Sequence, residues 1–234
     1  MVLRPPTPSR PAQPPEAPVR YLLTRRRIVR AALEVIDGDG LAALSMRRLA
    51  GDLGVTPRAL YRHVSDKDDL LQAVCEEALG EIPAAADDRR LAWQEQIRQV
   101  QRSLRRTLAA HPHLVPLLAQ VPTAFPAALL RVAEAVTTAL QDSDAGAPPE
   151  QALRLAYALY NYVLGFATIA ALTQVEGEPQ FRALAERVTA QAASQAPTLD
   201  TGGPFLTMFV AELHAADEQF DLGLDLMLRG IERT

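Results

Sequence analysis

From Thr24 onward the apolar positions recur at three- and four-residue steps, the period of helices that bury one face. Ile28, Ala31, Ala32, Val35 and Ile36 form the first stripe, with Thr24 as its cap and Gly38 and Gly40 as its stop. A short second helix is predicted from Met46 to Leu53, capped by Ser45 and ended by Gly54. Thr56 followed by Pro57 gives a third start, a cap and then proline at the first helical position. Ser65 with Asp68 resembles a capping box, opening a fourth helix that runs to about Glu81, before Pro83. Beyond Pro83 the spacing predicts helices at 87–110, 113–120, 124–141, 148–173, 179–195 and 204–232, broken by proline and glycine clusters. No run alternates as a strand would. The pattern predicts an all-α chain.

The periodicity also divides the chain. Residues 1–19 hold seven prolines and almost no large apolar side chain, which predicts a disordered tail, partly polyproline in character. No apolar stretch follows the early arginines, so the tail does not read as a signal peptide. The remainder splits into a short-helix unit, 20–82, and a long-helix unit, 83–234. Leu155–Val175 carries no charge over 21 residues, long enough to cross a bilayer. Its three tyrosines, Asn161, Thr168, Thr173 and Gln174, and the lack of basic flanks, favour a core or interface helix over a membrane span.

Composition narrows the chemistry. The 234 residues carry a formal net charge of −4, too little positive charge for a protein that coats nucleic acid by charge alone. A single cysteine, Cys75, rules out an intramolecular disulfide and a multi-cysteine metal site, and suits the reducing cytoplasm. The four histidines lack metal-ligand spacing. No phosphate loop or nucleophile–base motif is present, so the chain does not read as an enzyme and implies no cofactor and no metal. The charge is uneven, however. Residues 20–70 hold ten Arg or Lys against seven Asp or Glu, and residues 83–234 hold twelve against seventeen. A basic end on an acidic body points to nucleic-acid contact at that end.

Residues 45–63 supply the motif. Leu49, Leu53, Val55 and Leu60 can hold two short helices across each other, Ala50 is small at their approach, and Gly54 permits a positive φ at the turn. The second helix starts after Thr56 at Pro57 and offers Arg58, Ala59, Tyr61, Arg62 and His63 outward. Arg58 suits guanine O6 and N7 in the major groove, and Ala59 suits a thymine methyl. Ser45, Arg47, Tyr61, His63 and Lys67 are placed to hold phosphates. On spacing alone a rival stays open: a helical ligand-binding or scaffold protein whose basic hairpin reads no DNA.

The stretch Thr24–Gly80 resembles the DNA-binding domain of the tetracycline-repressor (TetR) family. The resemblance rests on Ala31-Ala32-Leu33, Gly40-Leu41, Leu44 to Ala50, Leu53-Gly54-Val55, and Leu60 to Val64 followed by Lys67 and Leu70-Leu71. By that resemblance Ser45, Arg47, Tyr61, His63 and Lys67 match phosphate-contacting places, and Pro57, Arg58 and Ala59 match places that face the bases. Weaker likeness to the tetracycline-repressor subgroup continues through Asn161-Tyr162-Val163-Leu164-Gly165 and Phe220 to Leu224. It implies a homodimer joined by a four-helix bundle made of 148–173 and 204–232, a double-stranded operator as partner, and control by a small-molecule effector. The subgroup's metal-binding histidines fall here at about Pro83 and Leu118, so the magnesium–tetracycline inducer does not carry over.

A ligand-responsive repressor on a palindromic operator is therefore the expected function. The stripe Phe220, Leu224, Met227 and Ile231 is expected between subunits. Trp93, Phe125, Tyr157, Asn161, Phe166 and Met208 are the candidate ligand-binding residues of an apolar pocket between the long helices. Asn161 leads that set, because a buried amide needs a partner.

Overall fold

The computed structural model describes residues 22–80, 82, 90–119, 126–142, 146–176, 187 and 216–231. All regular structure among them is helical. The Pro-rich segment 1–19, most of the helix expected at 179–195, Pro83, Phe125, Phe205, Met208, Phe209 and His214 lie outside the described residues.

Local chemistry sets the ends of the first elements. Helix α1 (Arg25–Asp39) starts where the Thr24 hydroxyl accepts the Arg27 N–H at 3.2 Å. It continues through Gly38 and stops at Gly40, whose φ of +84° no side-chain-bearing residue adopts readily. Helix α2 (Met46–Asp52) is capped by Ser45, which accepts from the Arg48 N–H. Gly54, at φ +67°, makes the turn into α3 (Pro57–Leu60). Helix α4 (Lys67–Leu79) is capped by Asp66, not by Ser65 as the capping-box reading has it. Asp66 accepts the Asp69 N–H, while the Ser65 N–H goes to the Asp69 carboxylate at 2.7 Å.

The second unit is built on α5 (Trp93–Ala110), α6 (Val115–Ala119), α7 (Ala127–Gln141), α8 (Pro149–Glu176) and α9 (Ala216–Ile231). Helix α5 is shorter than the expected 87–110, because residues 90–92 are turn and extended backbone. Trp93, Ile97, Val100, Leu104 and Leu108 recur along its buried face, which packs against α7 and α8. No helix of the described residues is long and apolar enough to cross a membrane.

The two units have distinct cores that meet on one helix. Leu70, Val74 and Ala78 of α4 face Ile28, Ile36, Leu49 and Leu60, whereas Cys75 and Leu79 of the same helix join Trp93, Ile97 and Val100. Leu114, from the turn before α6, is buried in the first core, and Leu117 touches both. Helix α4 is thus a shared wall.

The seam between α5 and α9 is ionic. Arg98, Arg102 and Arg105 meet Asp225, Asp221 and Asp217, one pair per turn of the two helices. The Arg105 guanidinium also lies 4.9 Å from the Phe220 ring centroid and 5.8 Å from that of Phe166. Tyr162 of α8 stacks on Phe220 and donates its hydroxyl to the Phe220 carbonyl at 3.0 Å. This places the tyrosine over Gly223, where a Cβ would overlap its hydroxyl.

One expected face is reversed. Phe220 and Leu224 are buried within the subunit, and Met227 and Ile231 are half-buried against the same core, so this stripe serves the subunit's own packing. The outward apolar residues of α9 are Leu222 and Leu226, about three-fifths exposed at 62% and 60%. Leu153, Tyr157 and Ile169 stand outward on α8.

Candidate nucleic-acid interface and its control

Leu60 is fully buried in the first core, where α3 packs on α2, and with the buried Val64 it orients α3. It leaves Thr56, Pro57, Arg58, Tyr61 and Arg62 exposed, with Ala59 and His63 half-buried. Ser45 and Arg47 are exposed at the start of α2, and Lys67 at the start of α4. The predicted contact residues therefore lie on the loops and helix starts around one hairpin.

The arginines near this hairpin fall into two sets. Arg25 pairs with both oxygens of Asp69, at 2.5 and 3.1 Å, and Arg30 holds Glu77 at 2.8 Å. Arg48 is tied to Asp39 and reaches Asp52 at 3.6 Å. Among the described residues Arg47, Arg58 and Arg62 make no ion pair and no side-chain hydrogen bond. A fold that neutralises some cations and leaves these three exposed presents them to a polyanion.

The paired set has its own task. The Arg25 guanidinium donates to the His63 carbonyl at 2.7 Å while gripping Asp69, so it clamps the end of the recognition hairpin to α1 and α4. That guanidinium, helped by the Ser65 N–H, holds the Asp69 carboxyl down at about 2. Sequence reading missed Arg25. Its partner Asp69 lies 44 residues away in the chain, so nothing local points to the pair.

Hydroxyl and amine positions refine the expected roles. Ser45 accepts one backbone bond as a cap and keeps its O–H to donate. Thr56 occupies a cap position, yet its side chain makes no cap bond, contrary to expectation, and its hydroxyl stays outward. Lys67 donates to the Leu44 carbonyl at 3.1 Å, which sets its ammonium beside the start of α2 with two N–H bonds left to give.

Polar contacts among the described residues also join this unit to the second. Glu76 of α4 accepts the Ala128 N–H in the first turn of α7 at 3.2–3.3 Å, supplying a cap that Pro126 cannot. Arg131 lies 3.8 Å from the same carboxylate. His111, after α5, meets Asp37 of α1 at 2.9–3.0 Å. Burial, with Glu76 adding to it, pushes the Cys75 thiol up to about 11, so this shared-wall residue behaves as an apolar filler.

The candidate ligand residues separate. Trp93 is buried in the second core, and Phe166 is half-buried against Tyr162 and Phe220. Tyr157 and Asn161 are exposed on the outer face of α8, and the Asn161 amide donates to the Tyr157 carbonyl one turn back at 2.9 Å. Asn161 is thus not the buried amide that its charge-free surroundings suggested. Leu118, at one of the subgroup's metal positions, is a buried core leucine.

Comparison with known proteins agrees with this geometry. Residues 28–74 match the family described as bacterial regulatory proteins, tetR family, and residues 85–234 match the tetracyclin repressor-like C-terminal domain. An HTH-type transcriptional regulator of Saccharopolyspora erythraea is 34% identical over 214 residues, 91% of this chain and 86% of the relative. The Streptomyces coelicolor TetR family protein ActR, solved in complex with actinorhodin, superposes with a TM-score of 0.72 at 30% identity, covering 89% of this chain and 95% of ActR. BioQ, solved with its double-stranded DNA operator, gives a TM-score of 0.62 at 27% identity, covering 91% of this chain and all of that one.

Proposed function

Because the chain belongs to the tetR family of bacterial transcriptional regulators, we propose that it is a homodimeric repressor of a palindromic operator, released by a small apolar or aromatic effector. The observation that carries the DNA half of this reading is the unpaired, exposed set Arg47, Arg58 and Arg62 around a hairpin anchored by Leu60. Arg58 reads a base, with Pro57 and Ala59 beside it. Ser45, Arg47, Thr56, Tyr61, Arg62, His63 and Lys67 hold phosphates and fix the register.

The dimer is formed by α8 and α9 through their outward residues, with Leu153, Tyr157 and Ile169 packing against Leu222 and Leu226 of the second copy. These five are the large apolar side chains that the described parts of the two long helices leave exposed. Two subunits joined there present two recognition hairpins to half-sites one helical turn apart.

Residues 20–82 form the reading unit and residues 83–234 the sensing unit, in a cytoplasmic protein. The effector lodges among α5, α7 and α8, with Trp93 and Phe166 among its neighbours. Helix α4 carries the response: Glu76 follows the start of α7, and Arg25–Asp69 passes the movement of α4 to the hairpin. For release, the effector must favour the off-DNA conformer by a few kcal/mol.

The test is an anisotropy titration against the DNA upstream of the protein's own gene, with a scrambled duplex as control. Saturable binding of two subunits per duplex, lost on the scrambled sequence, is the expected result. Equal affinity for both duplexes would leave the scaffold reading in its place.

A further inference from the structure

Two polar side chains are buried among the described residues, and both are glutamines of α5. Gln96 is accounted for: its amide nitrogen donates to the Leu91 carbonyl at 2.8 Å and ties down the lead-in to the helix. Gln101 is more deeply buried, at 1% exposure, and its Oε1 has no hydrogen-bond partner. It sits one turn from Ile97 and Leu104, which are themselves fully buried, on the helix that packs against both α7 and α8.

An amide oxygen withdrawn from water without a donor destabilises the fold. A core that needed only to close would be more stable with leucine or methionine at this place, and flanking positions 97, 100, 104 and 108 show that such residues fit the helix. Nor does its Oε1 tie down a neighbouring segment, as the Gln96 amide does. What the side chain supplies is an acceptor of fixed position inside an apolar core, the polar point by which a pocket orients an otherwise apolar guest.

We propose that Gln101 is the polar anchor of the effector site, its Oε1 accepting a hydrogen bond from a hydroxyl of an apolar ligand lodged against α5. This rests on the effector-responsive reading above and narrows it, since it requires a donor on the ligand. A hydroxyl that reaches Gln101 restores the missing bond, so binding is linked to relief of a fault in the empty core.

The test uses matched probes on the full-length protein, 1-naphthol with 1-methoxynaphthalene and 1-decanol with decyl methyl ether. Binding is read by calorimetry for the wild type and for Gln101→Leu and Gln101→Glu. In at least one pair the wild type is expected to prefer the alcohol about tenfold or more. Gln101→Leu is expected to erase that preference, to keep its affinity for the ether, and to melt at the same temperature or higher. Gln101→Glu keeps an acceptor and is expected to retain preference for the alcohol wherever it folds.

Three results would overturn the proposal. The first is a wild type that binds neither pair at millimolar probe, or binds alcohol and ether equally. The second is a Leu variant that still discriminates. The third is a Leu variant that melts markedly lower, which would make Gln101 a structural residue holding a buried water. DNA affinity without probe is measured in parallel. Its loss in the wild type would remove the regulator reading itself, whereas intact DNA binding with failed discrimination would remove only the anchor.

Discussion

Arg47, Arg58 and Arg62 stand unpaired at the recognition hairpin, whereas Arg98, Arg102 and Arg105 each meet an aspartate across the seam between α5 and α9. Residue type and formal charge are the same in both sets. What differs is whether the fold brings a carboxylate within reach. Net charge counts both sets alike, so it measures composition and not the charge available to a partner. The seam arginines hold two helices together, and the hairpin arginines are left with a demand that something outside the protein must meet.

Four measurements would break or sharpen that contrast. The largest effect is expected at the hairpin. Arg58→Ala should cost about 1–3 kcal/mol on the cognate operator and relax preference at one base position per half-site. Arg62→Ala should weaken binding on every sequence and flatten the salt dependence by about one unit. An unchanged ratio between cognate and scrambled duplexes for Arg58→Ala would remove its base-reading role.

The next effect belongs to the packing of α9 on α8 and is steric. Gly223→Ala pushes a methyl into the space of the Tyr162 hydroxyl and should destabilise the fold by about 1–3 kcal/mol, as overpacked sites do. Calorimetric melting should fall accordingly, roughly 2–4 °C for each kcal/mol in a chain of this size. Melting at the wild-type temperature would mean that Tyr162 is not locked over α9.

A smaller change is expected from the seam charges. Arg102→Ala breaks one half-exposed pair and should lower stability by about 0–1 kcal/mol, without altering the salt slope of DNA binding. Arg105→Ala should cost more, because its guanidinium also covers Phe220 and Phe166. If Arg102→Ala changed the salt slope as a hairpin variant does, the division into two arginine sets would be wrong.

The smallest effect is a pH dependence. The Asp69 carboxyl is held at about 2 in the folded protein against an ordinary value of 3.8. Its contribution is fully present above the ordinary value and is lost as pH falls through the folded one. The melting difference between wild type and Asp69→Asn should be constant above about pH 5 and shrink as the pH drops toward the folded value. A difference that persists undiminished into acid would show that Asp69 acts by shape alone.

Much of the reading unit was legible because its signals are local. Thr24, Ser45, Gly40 and Gly54 act on backbone groups within a few residues, and those caps and turns stand where the chain places them. The start of α4 slipped by one residue for a tertiary reason. Ser65 and Asp66 can both cap, and the choice follows from Asp69 turning its carboxylate to Arg25 and the Ser65 N–H.

In the sensing unit the pattern fails for a different reason. Helix α9 carries leucines on both faces, at 222 and 226 as well as 224 and 228, so periodicity alone does not say which face meets its own core. The buried amide was misplaced by the same kind of ambiguity. Asn161 lies in a charge-free run, yet it faces outward. Gln101 lies among arginines in the chain, yet it is buried one turn from Ile97 and Leu104.

The shared wall α4 has a consequence for how such proteins can be recombined. A reading unit cut after residue 82 would carry Cys75 and Leu79 into water, and the sensing unit left behind would lose part of its lining. Leu114 would be stranded the other way, a plug without its socket. Exchanging hairpins between regulators therefore succeeds only when the donor's fourth helix keeps the recipient's outward side chains, with the two sides of that one helix drawn from different parents. The grafting boundary in this architecture runs lengthwise along a helix, and a cut between two residue numbers does not follow it.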